Sequence, residues 1–236
     1  MELRLEKIQK SFGAKTVLKD CTFTFEKGKI YGLLGRNGAG KTTLFNCLSD
    51  EIQPDFGEAF LSTGEDEKRT LFPDDVGYVL SVPILPDFLT GEEFVRFFMD
   101  INQDKISKDL TMEECFDIVQ IAPEDRKRLI KGYSHGMKNK MQMLINIIAQ
   151  PKILLLDEPL TSLDVVVAEE MKQLLRKLKK GHILIFSTHI MELALDLCDE
   201  IVVLSRGTLE RVERGALDEE TFKEKIIGIL KEGDHA

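Results

Sequence analysis

The spacing of apolar and polar positions divides the chain into three stretches. In the first, Leu3, Leu5 and Ile8 read as a short strand, a polar turn follows at 11–15, and residues 16–18 open another strand. Positions 21–25 alternate apolar with polar, which predicts a half-buried antiparallel strand. Lys27-Gly28 is a turn, and 30–34 is a continuous apolar run of the kind a strand buried on both faces needs. Residues 41–48 read as a helix closed by Pro54 and Gly57, and 58–80 as further strands around an acidic turn at Glu65, Asp66 and Glu67. The second stretch is helical. Phe94, Phe97 and Phe98 fall at i, i+3 and i+4, which predicts one buried helix face, and 111–121 and 137–149 read the same way. In the third, strands at 153–156, 183–186 and 201–204 alternate with helices at 165–179 and 190–198. That alternation predicts an α/β core around a mainly parallel sheet, with a short amphipathic helix at 217–231 after it.

Composition narrows the partners. Lys and Arg number 32 against 41 Asp and Glu, a net charge of −9. A nucleic-acid binder presents a basic face, so no nucleic-acid partner is expected. A nucleotide site stays open, because a few backbone amides outweigh a distant net charge. The four cysteines (Cys21, Cys47, Cys115, Cys198) form no C-x-x-C pair, which suits a reducing compartment better than a disulfide framework or zinc knuckle. No apolar run approaches the roughly 18 residues of a spanning helix. The charged, alternating start is unlike a signal peptide. The expectation is a soluble chain that works at a membrane only where another chain holds it.

Gly35-Arg36-Asn37-Gly38-Ala39-Gly40-Lys41-Thr42 fits G-x-x-x-x-G-K-[ST], between a buried strand and a helix, with Thr43 next inside the helix. Glycines let successive N–H groups turn toward one anion, Lys41 adds a point charge, the Thr42 hydroxyl suits Mg²⁺, and the helix presents its positive end. A second signal is the apolar run 153–156 followed by Asp157 and Glu158. The strand delivers both carboxylates to the carboxyl end of the sheet, where α/β folds place ligands. Adjacent strand residues face opposite ways, so Asp157 is expected at the metal and Glu158 at an attacking water.

Four further features share this order and spacing. Tyr133-Ser134-His135-Gly136-Met137 precedes the acidic strand, Thr161-Ser162-Leu163-Asp164 follows it, His189 sits just past the next strand, and Phe12 lies in an early hairpin loop. By itself, Phe12 reads as core packing and His189 as a satisfied polar residue. Together the features resemble the ATP-binding cassette of ABC transporters over essentially the whole chain. The resemblance makes 35–42 the Walker A loop, 153–158 the Walker B strand with its catalytic glutamate, 134–137 the signature, Asp164 part of the D-loop, His189 the switch histidine and Phe12 the adenine platform.

It implies a P-loop NTPase with a RecA-like core, an antiparallel β-subdomain and a helical subdomain. The expected single cassette places core and β-subdomain in 1–87 and 149–216, the helical signature subdomain in 88–148, and a C-terminal helix in 217–236. It also implies ATP and Mg²⁺ as cofactors. Catalysis falls to Glu158, His189 and Lys41, and metal binding to Thr42 and Asp157. A second cassette, identical or different, would offer Ser134, His135, Gly136 and Met137 across a head-to-tail dimer, with a separate integral membrane permease as partner at the inner face of the cell membrane.

Three positions depart from the commonest cassette pattern. His135 replaces a glycine, where a side chain crowds the loop if its backbone takes positive φ. Met137 replaces a glutamine; Ser-x-Gly-Met forms resemble exporters with separate membrane subunits. Ser81 stands where a glutamine meets the metal, and serine reaches the ion only through water, as a harmless variant or as weakened coupling. Ile84, Leu85 and Phe88 follow it as a candidate docking surface. The run 176–180 reads as a solvated helix end. Rival readings are a soluble ABC-type ATPase, a regulatory cassette that binds ATP without hydrolysing it, and an importer subunit.

Overall fold

Ten strands join in one sheet, in the order β5-β4-β1-β2-β10-β9-β3-β8-β7-β6, in the computed structural model, which describes residues 1–64, 67–106, 110–161, 163–213, 215 and 217–232. Glu65 and Asp66 of the expected acidic turn, and Ser162, lie outside the described residues. β1 (Glu2–Phe12) and β2 (Lys15–Glu26) form a long antiparallel hairpin. The polar stretch 11–15 is therefore mostly strand: the turn contracts to Gly13-Ala14, and register shifts replace the break expected between 18 and 21. β3 (Ile30–Leu34) leads through a loop into α1 (Lys41–Leu48). β4 (Phe56–Ser62) and β5 (Lys68–Thr70) extend the antiparallel part, and β6 (Val76–Val79) closes the opposite edge.

The helices of the second stretch come next: α2 (Gly91–Ile101), α3 (Met112–Ile118), the one-turn α4 (Pro123–Arg126) and α5 (His135–Ala149). Thr90 and Thr111 cap α2 and α3 reciprocally with Glu93 and Glu114, a T-x-x-E signature at both starts. The α/β alternation then runs β7 (Ile153–Asp157), α6 (Val165–Leu178), β8 (Ile183–Thr188), α7 (Met191–Leu197) and β9 (Glu200–Ser205). β10 (Thr208–Val212) and α8 (Glu219–Glu232) follow.

β9, β3, β8, β7 and β6 are mutually parallel. Their continuous apolar runs arise because both faces are covered. Leu154 and Leu156 of β7 enter the core beneath α2, α3, α5 and α6, while Ile153 and Leu155 enter the core that contains Leu44 and Phe45 of α1. Each such leucine taken out of water contributes about 1.5–3 kcal/mol. Close packing on β6 leaves no room beside Gly77, where a Cβ would come 2.4 Å from Asn146 Oδ1 of α5.

Two expectations need correction. β10 was missed in the pattern because it is short and largely exposed. It is a hairpin with β9 through Arg206 and Gly207, both at positive φ, the geometry of a type I′ turn. Phe97 is not core. Phe94 is buried and Phe98 partly so, but Phe97 is 55% exposed, because the helix is covered on one side only. The charged end of α6 is paired as well as solvated: Arg176 binds Asp196 and Lys179 binds Asp199. α8 packs Phe222 and Ile226 against a cluster that includes Val203 and Ala194.

Candidate functional site

The parallel strands end at one edge, and the loop from β3 to α1 curls over it. Gly38 (φ 81°) and Gly40 (φ 107°) hold conformations L-residues rarely adopt, and a Cβ on Gly40 would also strike Val17 at 2.8 Å. Gly40 accepts from Leu44 N at 2.8 Å, so α1 begins there with its first amides facing the loop. Lys41 turns back: Nζ donates to Gly35 O at 2.7 Å and Arg36 O at 3.2 Å. Burial holds the Lys41 pKa below its ordinary value, against the opposing pull of Glu158 and Asp157.

Asp157 ends β7 and is 5% exposed. Thr42 Oγ1 donates to its Oδ2 at 2.8 Å, and Ser187 Oγ donates to Oδ1. Glu158 leaves the strand with φ 49°, so a left-handed turn, not strand alternation, separates the two carboxylates. Its amide donates to Ser187 O and to Ser187 Oγ, each at 3.2 Å. Its Oε1 lies 2.9 Å from His189 Nδ1 and 3.9 Å from Lys41 Nζ, and its Oε2 accepts from Thr161 at 3.4 Å.

These groups open onto a cleft of about 430 Å³ whose wall includes Phe12, Gly38, Lys41, Thr42, Thr43, Ser81, Asp157 and Glu158, with Asn37 and Gly40. Phe12 is 52% exposed, so it is not core; it stands at the rim of the cleft, with Lys10 Nζ 5.8 Å from its ring centre. Arg36 and Ala39 line an adjoining cleft of about 400 Å³, which shares Asn37 and Gly38 with the first and reaches Ser205 and Arg206. Gly35 serves through its carbonyl, on Lys41.

Ser134, His135, Gly136 and Met137 do not line the cleft. Ser134 caps α5 by accepting from Met137 N at 3.2 Å, and Met137 packs on the core. His135 opens α5 with negative φ, so the crowding considered for a side chain there does not arise. Asp164 caps α6, accepting from Val166 N and Val167 N at 3.0 Å. Ser81 lines the cleft, and Gln142 donates its side-chain amide to Leu80 O beside it at 3.0 Å. Ile84 and Phe88 are exposed, while Leu85 turns onto the core. Pattern reading missed Ser187, which pairs in register with Asp157 across β7 and β8; the polar residue ending the run Ile-Leu-Ile-Phe was its only signal.

Among the described residues no three His, Cys, Asp or Glu side chains converge as a metal cage. A buried carboxylate joined to a threonine hydroxyl suits Mg²⁺, which takes one or two protein oxygens and completes its shell with phosphate and water. The site can therefore bind a polyphosphate along the loop, a hydrated cation at Thr42 and Asp157, and a water near Glu158.

A family profile described as ABC transporter matches residues 18–161. The ABC transporter ATP-binding protein all4389 of Nostoc sp., itself uncharacterized, is 35% identical over 86% of this chain and 60% of its own length. A sulfate/thiosulfate import ATP-binding protein, CysA 2 of Rhizobium meliloti, is 31% identical over 90% of this chain and 59% of its own. The chain thus spans about 60% of the length of these curated relatives. The dimeric post-hydrolysis structure of the cassette MJ0796 bound to ADP and Pi shares the fold, with a TM-score of 0.73 at 21% identity over 89% of this chain and 99% of that one.

Proposed function

The chain belongs to the ABC transporter family, and on that premise we propose that it is the subunit that hydrolyses ATP, with Mg²⁺, to drive a separate membrane-embedded permease. The observation that carries this reading is the linked pair of contacts at the cleft, Thr42 on Asp157 and His189 on Glu158. Lys41 and the loop amides bind the β- and γ-phosphates, the lysine exchanging the carbonyls of Gly35 and Arg36 for phosphate oxygens. Thr42 and Asp157 hold the cation, which when bound neutralises charge on the phosphates. Glu158 accepts the proton of, or orients, the attacking water. His189 fixes the Glu158 rotamer and reaches the γ-phosphate. Phe12 stacks on the adenine, keeping an aromatic face to it.

In this reading Ser134, Gly136 and the start of α5 present a second anion site to the nucleotide of another cassette. The fold shared with a dimeric, ADP- and Pi-bound cassette supports that arrangement. ATP then holds the dimer closed and hydrolysis releases it. The Ser-His-Gly-Met signature, a form that resembles exporters with separate membrane subunits, favours export, whereas the likeness to a sulfate/thiosulfate import protein favours import; we propose export on the form of the signature. The test is Glu158→Gln. Phosphate release is expected to fall at least about a hundredfold, as for loss of a general base, and light scattering should find an ATP-dependent dimer. Turnover at the wild-type rate would refute the assignment.

A further inference from the structure

Tyr78 carries a hydroxyl that the site description has not used. It is carried on β6, paired in register with Leu155 of β7, so its side chain shares a face with Leu155 and, two residues on, with Asp157. The ring packs edge-on against Phe45 of α1 at 5.9 Å. That packing needs only the ring, and phenylalanine would supply it. Yet the hydroxyl is buried and makes no hydrogen bond, although a buried tyrosine O–H ordinarily finds a partner. The carboxylate on that face is that of Asp157, to which the hydroxyl makes no hydrogen bond.

A carboxylate offers about four lone-pair positions. Thr42 takes one on Oδ2 and Ser187 one on Oδ1, which leaves room for another donor. We propose that Tyr78 is a positioning residue for the metal-side carboxylate: its O–H becomes the third donor to Asp157, directly or through one water, when nucleotide and divalent cation fill the cleft. A third donor restricts the carboxylate to the orientation in which its remaining lone pair faces the cation's hydration shell. Such outer partners set metal affinity without touching the metal. The inference rests on the nucleotide-site reading above.

Tyr78→Phe keeps the ring and removes the donor. The wild-type chain and this variant are titrated with a non-hydrolysable ATP analogue, first in chelator and then with Mn²⁺ followed by electron paramagnetic resonance. Analogue affinity in chelator should be the same in both. The Mn²⁺ dissociation constant should rise about tenfold in the variant, the low end for an outer-shell partner, with a melting temperature no lower than wild type. Coincident Mn²⁺ curves would overturn the proposal and leave the site reading intact. A wild-type chain that binds no analogue would overturn both. Were Tyr78→Phe to unfold, 3-fluorotyrosine placed at position 78, a stronger donor, should tighten Mn²⁺ binding, and unchanged binding would overturn the proposal.

Discussion

Ser187→Ala removes one hydroxyl from a position wholly shielded from solvent. That hydroxyl donates to Asp157 Oδ1 and accepts from Glu158 N at 3.2 Å, so it braces both carboxylates of the site. A hydrogen bond to a charged group is worth about 1.5–3 kcal/mol. The Glu158 amide keeps its contact to Ser187 O, and Asp157 keeps Thr42, so loss near the lower half of that range, about 2 kcal/mol, is expected. At about 2–4 °C per kcal/mol for a chain of this size, the melting temperature should fall by about 4–8 °C. The chemistry should suffer more than the fold. A residue that orients a metal-binding carboxylate typically costs about 10–100-fold in metal affinity or activity when removed. Calorimetry gives the first number, and phosphate release measured across a Mg²⁺ series gives the second. Ser187→Thr, which keeps the hydroxyl, is the control for cavity effects. An alanine variant that melts within about 1 °C of wild type and half-saturates at the same Mg²⁺ concentration would refute the bracing argument.

Substitutions at two further positions address the scaffold. His182 is held below its ordinary pKa, first by burial and secondarily by Lys27, although its Nδ1 lies 2.6 Å from Pro151 O. The unfolded chain therefore takes up the proton near pH 6.5 while the folded one resists it. Stability from this group is full above that pH and is lost as pH falls toward the lower folded value. His182→Gln should flatten the melting temperature between pH 5 and 7, and an unchanged slope would refute the assignment. Asp164→Ala should cost about 1 kcal/mol by uncapping α6, and Asp164→Asn should restore most of it, because both side chains cap equally well. If both variants melt like wild type, the cap contributes nothing.

Much of the candidate site's local geometry was legible before any tertiary information. Gly38 and Gly40 announce positive φ, and a loop of that shape between an apolar strand and a helix has few uses other than an anion site. Asp157 follows its apolar strand and emerges where such strands place ligands. Other readings failed for identifiable reasons. Phe97 satisfies helical spacing as well as Phe94 does, but spacing says which residues share a face and not how far the covering partner extends. β10 lacks an apolar run and exists because the turn at Arg206-Gly207 returns the chain along β9.

The boundary follows from range. Interactions among residues a few positions apart are set by covalent geometry and periodicity, and these the chain carries in its own order: the phosphate loop, the helix caps at Thr90 and Thr111, the buried strands of the α/β alternation. Contacts between Asp157 and Ser187 or Glu158 and His189 join different strands or the loops that leave them. Their pairing depends on sheet order and register, where a shift of one residue would turn each side chain to the opposite face. Only the folded sheet, with β8 beside β7 and β6 beyond it, decides which polar groups surround a given carboxylate.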